Sequence, residues 1–297
     1  MSNCYLSSSL FRNMDLKSAI TNCGNLSNKY VELSAPHPYQ PKNEIIDMFN
    51  DFKKKGFNFS LHNYFPPPKK SFVLNVAAED EQTINSCRDM VNLALELTES
   101  SGSKIYGVHA GYLSKAVAKE DGMFEFDEEM YSYSKALDRA VKFINEIAEN
   151  FKKKNKILII ENLFPSVARE SSLFCNIKQI EDLMSQVPKE VGLLLDLGHL
   201  NISSNLMKFN REDFLDKYLE KYGNKLHEVH ISENNGVKDE HLALIKNSWQ
   251  LNAINKINKI SKNTNKISEI IFCLESRNAS NAEISKNISE INHILAG

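Results

Sequence analysis

The stretch GLLLDLGHLNISS, residues Gly192–Ser204, runs three leucines straight into Asp196, with His199 three residues further on across Gly198. A short apolar run of this kind reads as a strand buried on both faces, as in a parallel sheet covered by helices. Such a strand ordinarily closes on a turn residue or a cap. This one closes on a carboxylate and an imidazole, and Gly198 would let the chain turn sharply enough to bring His199 back over the strand end.

The same construction recurs along the chain. Short β-branched or apolar segments occur at Cys4–Ser8, Tyr30–Ser34, Asn58–His62, Ile105–His109, Ile157–Glu161, Gly192–Asp196, Leu226–His230 and Ile270–Glu275. Helical patterns separate them, at Leu16–Cys23, Asn43–Lys55, Thr83–Ser100, Glu128–Phe151, Ile177–Val187, Arg211–Tyr222, Trp249–Lys262 and Ala282–Leu295. Within Glu128–Phe151 the apolar positions Ala136, Ala140, Phe143, Ile144 and Ile147 share one face. Eight strands each followed by a helix, with no Gly/Ser linker or composition break, predict an α/β fold: a (β/α)8 TIM barrel, one domain over residues 1–297. An open doubly wound sheet is the competing arrangement, but it usually carries a glycine-rich phosphate loop after its first strand, and none occurs here. Two connections exceed what a barrel needs, Asn63–Lys70 and Ala110–Asp127. Long loops on the C-terminal face usually hold or cover a ligand. The Asn/Lys/Ile-rich stretch Asn252–Ser268 reads as a solvated helix and its connection.

Composition narrows the function. The 297 residues are 42% hydrophobic and 25% charged, with a formal net charge of -2. The pI is ≈ 6.5, so no strong global field favours nucleic acid or an anionic membrane. Mean hydropathy is -0.38 and no apolar run is long enough to span a bilayer. The start, MSNCYLSSSLFRNMD, lacks the basic end and apolar core of a secretion signal. Cys4, Cys23, Cys87, Cys175 and Cys273 are odd in number and contain no CxxC, which fits reduced thiols in a cytoplasmic protein. Cys273, two residues before Glu275, would share its strand face and reads as a buried inert thiol.

The strand ends carry the chemistry. Successive strands end in His62, His109, Glu161, Asp196 with His199, His230, and Glu275, and Asp239 and His241 follow a short loop after His230. One histidine at a strand end is most simply a hydrogen-bonded structural residue. In a parallel barrel, however, all C-terminal strand ends converge on one mouth. Carboxylates and imidazoles gathered there repel or stay undersatisfied unless a cation or polar ligand compensates them. Imidazole with carboxylate and no cysteine suits Zn²⁺, Mn²⁺, Co²⁺ or Fe²⁺. The subset Glu161, Asp196, His230 and Glu275 suits an octahedral Mn²⁺ or Mg²⁺, whereas the full nine-residue set would hold two or three Zn²⁺. His37, His227 and His293 fit no such pattern. His227, three residues from His230, falls on the opposite strand face.

The segments IENL, LLLDLGHL and HISENNGVKDEHLAL resemble the xylose isomerase-like TIM barrels, also called AP endonuclease family 2, and the resemblance spans nearly the whole barrel. The last segment is similar to the His-x-x-Asp-Asn-x-Gly…Asp-x-His pattern of the sugar-phosphate isomerases and epimerases. The resemblance implies that Glu161, Asp196, His230 and Glu275 bind a divalent metal (Mn²⁺, Mg²⁺, Co²⁺ or Zn²⁺, one to three ions). It also implies that Glu161 and Glu275 are the two catalytic glutamates. The same residues resemble endonuclease IV, whose three-zinc site implies metal roles for His62, His109, His199, Asp239 and His241 as well. FVLNVAAED, after His62, resembles that enzyme too.

Three features favour sugar chemistry. VELSAPHPY resembles the isomerase and epimerase branch, where this loop helps cover the sugar. The mouth loops SAPHPYQP, NYFPPPKK, AGYLSKAVAKED and SENNGVKDE carry few cations for phosphodiester contacts. Arg277 and Asn278 precede the last helix, where barrels often hold a single phosphate, although Arg277 equally suits a structural carboxylate. The implied reaction is isomerisation or epimerisation of a sugar or sugar phosphate through an enediolate, with Glu161 and Glu275 passing the proton. His199 and Arg277 would orient substrate oxygens, and Tyr39, Tyr64, Phe65 and Tyr112 would face the ring or simply pack. The alternatives are an endonuclease IV-like phosphodiesterase acting on abasic DNA, in which Tyr64 or Phe65 stacks on a base, and a metal-dependent lyase or dehydratase on the same barrel. A non-catalytic binding protein is a further alternative. The partner is then a small molecule, with nucleic acid only in the phosphodiesterase case and no membrane, and a homo-oligomer is compatible with the fold. In the isomerases the Asp-x-His usually continues into an apolar Gly-x-Gly turn; here HLALIKNSWQ has no glycine, so the mouth is shaped differently.

Overall fold

The computed structural model describes residues 4–118, 124–167, 169–263 and 270–297. Among the described residues there are ten strands: β1 (Cys4–Ser7), β2 (Tyr30–Leu33), β3 (Asn58–His62), β4 (Ile105–His109), β5 (Ser114–Ala118), β6 (Phe124–Met130), β7 (Ile157–Glu161), β8 (Gly192–Asp196), β9 (Leu226–Ile231) and β10 (Ile271–Leu274). Eight of them close a parallel barrel in the order β1-β10-β9-β8-β7-β4-β3-β2, and β5 and β6 form a separate antiparallel hairpin. Every strand of the barrel was legible to within a residue or two. The hairpin was not: it occupies the expected loop Ala110–Asp127 and runs three residues into the expected helix Glu128–Phe151. That helix starts only at Tyr133, where the Ser132 side chain accepts the Lys135 N–H as its cap. The middle of the same expected loop, residues 119–123, lies outside the described residues, as do residues 264–268 of the Asn/Lys/Ile-rich stretch and the first three residues of the N-terminal segment.

The helices are α1 (Leu16–Asn25), α2 (Lys42–Lys54), α3 (Glu81–Ser101), α4 (Tyr133–Lys153), α5 (Ile177–Met184), α6 (Leu197–Met207), α7 (Arg211–Tyr222), α8 (Trp249–Asn263) and α9 (Asn281–Ala296). All but α6 were expected. Its sequence, LGHLNISSNLM, is buried over most of its length, so it lacks the polar stripe that marks a surface helix. Among the described residues, no helix is long and apolar enough to cross a membrane.

The pleat sorts the side chains. Leu158, Ile160, Leu193, Leu195, Val229, Ile231, Phe272 and Leu274 join the large core between sheet and helices. The alternate residues Ile105, Ile159 and Leu194 form a small apolar cluster of their own, with Ile157 and Ile271 against it. Continuing that alternation toward the C-terminal ends brings Glu161 and Asp196 to the same interior face as Ile159 and Leu194. Between β8 and β9 the register slips: the adjacent residues Leu193 and Leu194 pair with Leu226 and Glu228, so His227 is the extra residue of a bulge in β9. His227 is therefore off the site, as expected, though a bulge adds to the pleat in placing it there.

Candidate active site

Glu161 stands at the centre of the mouth. Register pairs it with His109, and its Oε2 lies 2.8 Å from His62 Nε2 and 3.2 Å from His109 Nε2. Its Oε1 lies 3.2 Å from His199 Nδ1 and 3.8 Å from His230 Nδ1. Burial alone would raise this carboxyl, but the surrounding imidazoles outweigh it and hold Glu161 well below the usual carboxylate range. Gly107 makes room for one of them: a Cβ there would sit 2.6 Å from His62 Cδ2.

Asp196 pairs in register with His230. Its Oδ1 accepts the His199 backbone N–H at 2.7 Å and caps α6, while its Oδ2 lies 3.8 Å from His230 Nδ1. Gly198 does not supply the sharp turn anticipated from the sequence; it is an ordinary residue of α6. It is small because the helix rides close on the chain just past β9, where a Cβ would meet Ser232 O and Oγ at 3.0 Å. His230 Nδ1 also lies 3.4 Å from Glu275 Oε2, and its Nε2 is 2.7 Å from Glu32 Oε2. Burial opposes charge on His230, yet Glu32 and Glu275 prevail and push it well above the ordinary histidine value. Beneath lies Glu228, pushed well above the carboxylate range by burial and by Glu32 beside it, with Ser60 Oγ donating to its Oε1 at 3.3 Å.

A third group forms beside these. His241 Nδ1 lies 3.0 Å from the Glu275 carbonyl and His199 Nδ1 lies 2.8 Å from the Asn162 carbonyl. A carbonyl only accepts, so each Nδ1 carries the hydrogen and each Nε2 is aimed elsewhere. Both aim at Asp239 Oδ2, at 2.6 Å from His241 and 3.7 Å from His199. Burial would lift Asp239, but His241 and His199 hold it well below its usual range. His241 keeps a left-handed backbone at φ 48°, a strained position of the kind that clusters at functional sites. Arg277 contacts His241 Nε2 and stands 3.9 Å from Asp239 Oδ2, so its guanidinium is engaged with site residues rather than projecting alone over the mouth.

All nine expected ligand positions therefore share one mouth. The aromatic expectations fare differently. Tyr112 is buried with its hydroxyl 2.9 Å from His109 Nδ1, and Tyr64 accepts the Leu74 N–H at 2.9 Å while its ring stands edge-on to His109. Both back the histidine. Phe65 is fully buried against Phe49 and belongs to the core, which removes it as a substrate or base contact. Tyr39 is 43% exposed, with Lys69 over its ring. His37 is structural, bonded to Met14 O and Ser8 Oγ. Phe124 and Phe126 of the hairpin close over Tyr112, with Arg169 bonding the backbone carbonyls of Phe126, Asp127 and Glu128. Sequence reasoning missed Glu32, Glu228, Asn162 and Phe164, whose ring lies 4.8 Å from His199. A signal existed for two of them: Glu32 interrupts the apolar strand YVEL, and Glu228 stands two residues before His230, on the same face.

The donor set fits divalent metal. His230 Nδ1 is buried without a hydrogen-bond partner, yet faces three carboxylates at 3.4 to 3.8 Å. Donors bound at about 2.1 Å to one ion lie about 3 to 4 Å apart, which is this spacing. The sets Glu32, His62, His230, Glu275; His62, His109, Glu161; and Glu161, Asp196, His199 each bring their ligand atoms within 4.8 Å of one another.

The family model described as xylose isomerase-like TIM barrel matches residues 26–286. The uncharacterized protein MJ1614 of Methanocaldococcus jannaschii is 28% identical over 185 residues, 62% of this chain, and the chain spans 61% of that relative's length. Among solved structures, a D-tagatose 3-epimerase-like protein superposes with a TM-score of 0.75 at 22% identity, covering 100% of this chain and 98% of that one. D-psicose 3-epimerase of Clostridium cellulolyticum H10 gives 0.71 at 14% identity, with 99% of each chain covered. The 3-keto-D-glucoside 4-epimerase of E. coli gives 0.69 at 11% identity, with 100% of each covered. At these identities the superpositions establish a shared fold. With the barrel closed, the strand ends converged and the family model spanning residues 26–286, the chain belongs to the xylose isomerase-like TIM barrel family.

Proposed function

We propose that this chain is a divalent-metal-dependent enzyme, acting as one domain, that isomerises or epimerises a sugar or sugar phosphate. The observation that carries this reading is the convergence of two buried carboxylates from different strands, Glu161 at the end of β7 and Glu275 just after β10, on His230 Nδ1, at 3.8 and 3.4 Å. A substrate carbon between them meets a proton acceptor on one side and a donor on the other. Return of the proton to the same carbon from the opposite side epimerises it; return to the neighbouring carbon isomerises it. A divalent ion held by Glu161, Asp196, His230 and Glu275 supplies positive charge where negative charge develops on the substrate oxygens. His199 and Arg277 line the adjacent side and orient substrate hydroxyls or phosphate. The epimerase names of the superposed proteins point the same way.

A second observation favours a different chemistry. Glu161 is enclosed by His62, His109, His199 and His230, and a carboxylate so strongly ionised is a weak base but an apt shared ligand. His199, Asp239 and His241 add a further donor group. This full set supports an endonuclease IV-like phosphodiesterase carrying two or three Zn²⁺.

One pair of assays separates the readings. Incubation in D₂O with Mn²⁺, Mg²⁺, Co²⁺ or Zn²⁺ should wash deuterium into C2 or C3 of a ketose or aldose, free or phosphorylated. No exchange across the panel, together with cleavage of an abasic-site duplex, would replace the sugar reading by the second.

A further inference from the structure

Five histidines surround the mouth, and three share one orientation. His62, His109 and His241 turn Nδ1 away from the site carboxylates, to Ser34 Oγ at 3.5 Å, Tyr112 OH at 2.9 Å and Glu275 O at 3.0 Å, and aim Nε2 at Glu161 or Asp239, whereas His199 holds Nδ1 2.8 Å from Asn162 O and 3.2 Å from Glu161 Oε1. His230 is reversed. Its Nε2 points down into the barrel to Glu32 Oε2 at 2.7 Å, and Nδ1 faces Glu161, Asp196 and Glu275. Both Glu32 and His230 are 0% exposed. A carboxylate this deep is costly to bury unless it meets a charged or donating partner. Within the barrel it meets one on β9, across the interior from its own strand.

We propose that Glu32 is the positioning residue of the metal centre: its carboxylate takes the His230 Nε2–H and thereby presents Nδ1 to an ion shared with Glu161, Asp196 and Glu275. The inference rests on the metal-dependent reading and holds for either chemistry. In this arrangement Glu32 acts through His230 and is not itself a ligand of the ion that Nδ1 meets. It fixes the tautomer and the ring angle, and its negative charge makes the imidazole a better donor. Without it nothing selects Nδ1 over Nε2 as the inward nitrogen, and a rotated ring would aim carbon at the three carboxylates.

The test uses the full chain, stripped of metal and titrated calorimetrically with Mn²⁺ and with Zn²⁺. Glu32→Gln keeps the shape and an acceptor oxygen but loses the charge; affinity should fall about 10- to 100-fold. Glu32→Ala loses the acceptor as well and should fall further. Metal-free thermal unfolding of each variant reports stability separately, so the affinity loss must exceed any change shared by the metal-free protein. The wild-type chain gives a readout that needs no variant. In the Zn²⁺-loaded, ¹⁵N-histidine-labelled protein, His230 should show a protonated Nε2 and a metal-bound Nδ1. Coordination through Nε2, or unchanged affinity in a folded Glu32→Gln, overturns the proposal. A wild-type chain that binds neither ion overturns it together with the metal reading beneath it, whereas binding that ignores position 32 overturns this inference alone.

Discussion

Asp196 caps the helix that carries His199. One oxygen accepts the His199 backbone N–H at 2.7 Å, and the other lies 3.8 Å from His230 Nδ1. One side chain thus starts α6 and faces the proposed ion, which links local folding to the site.

The two duties separate by substitution. Asparagine caps about as well as aspartate, whereas alanine loses about 0.5–2 kcal/mol. Asp196→Asn should therefore unfold near the wild-type temperature in the metal-free protein and still lose most metal affinity. Asp196→Ala should lose both. Thermal unfolding and metal calorimetry on the same samples check this, and an asparagine variant with undiminished metal affinity would remove Asp196 from the ligand set.

Glu161 and Glu275 are predicted to carry the proton. Either Glu→Gln change should cut turnover about 10²- to 10⁴-fold, the range of general acid–base contributions. Metal content measured on each variant separates lost proton transfer from a lost ligand. Full turnover by both variants with metal bound would show that neither glutamate moves the proton.

Gly107→Ala pushes a methyl group to within 2.6 Å of His62 Cδ2, so the imidazole must shift. We expect a loss of about 1–3 kcal/mol, as for overpacked interiors, and weakened binding of any ion that uses His62. Gly223→Ala serves as the control, since its Cβ meets nothing within 4 Å and its backbone is helical, at φ -54°. Denaturant unfolding of the two variants should diverge; equal stability would show that His62 has space the packing does not reveal.

Protons and metal compete for the site. Burial opposes charge on His199, but Asp196, Asp239 and Glu161 outweigh it and push it well above the ordinary value of 6.5; His230 shifts the same way. Both hold a proton to higher pH in the folded chain than in the unfolded one. Their contribution to stability is thus complete below 6.5 and lost as pH rises through the folded values. The metal-free protein should become less stable across that window, while metal affinity rises over it as the competing protons leave. Unfolding and metal titration between pH 6 and 10, about the range spanned by such groups, would show the two opposite slopes. A metal affinity independent of pH would mean that neither imidazole is a ligand.

The eight barrel strands and the residues that end them were legible because the information is local. Apolar runs such as Leu193–Leu195 mark a buried strand within a few residues, and the parallel barrel brings all strand ends to one face. Six of the nine candidate positions, His62, His109, Glu161, Asp196, His230 and Glu275, follow from that alone, and His199, Asp239 and His241 lie in the segments that come next. The hairpin β5–β6 escaped notice because FEFDEEM, whose positions are half-buried or exposed and never fully buried, carries too little apolar weight to stand out from a loop. The α6 helix escaped because burial over most of its length removes the amphipathic stripe.

Local pattern thus specified a barrel and the chemistry collected at its mouth. It did not specify which nitrogen of each histidine faces inward, that Asp196 would also cap a helix, or that Phe65 would leave the site for the core. Nor did it find Glu32, whose partner His230 lies 198 residues away in sequence. Those outcomes depend on contacts that exist only once β2 and β9 face each other across a closed barrel, because hydrogen-bond direction and ring orientation are set by neighbours in space.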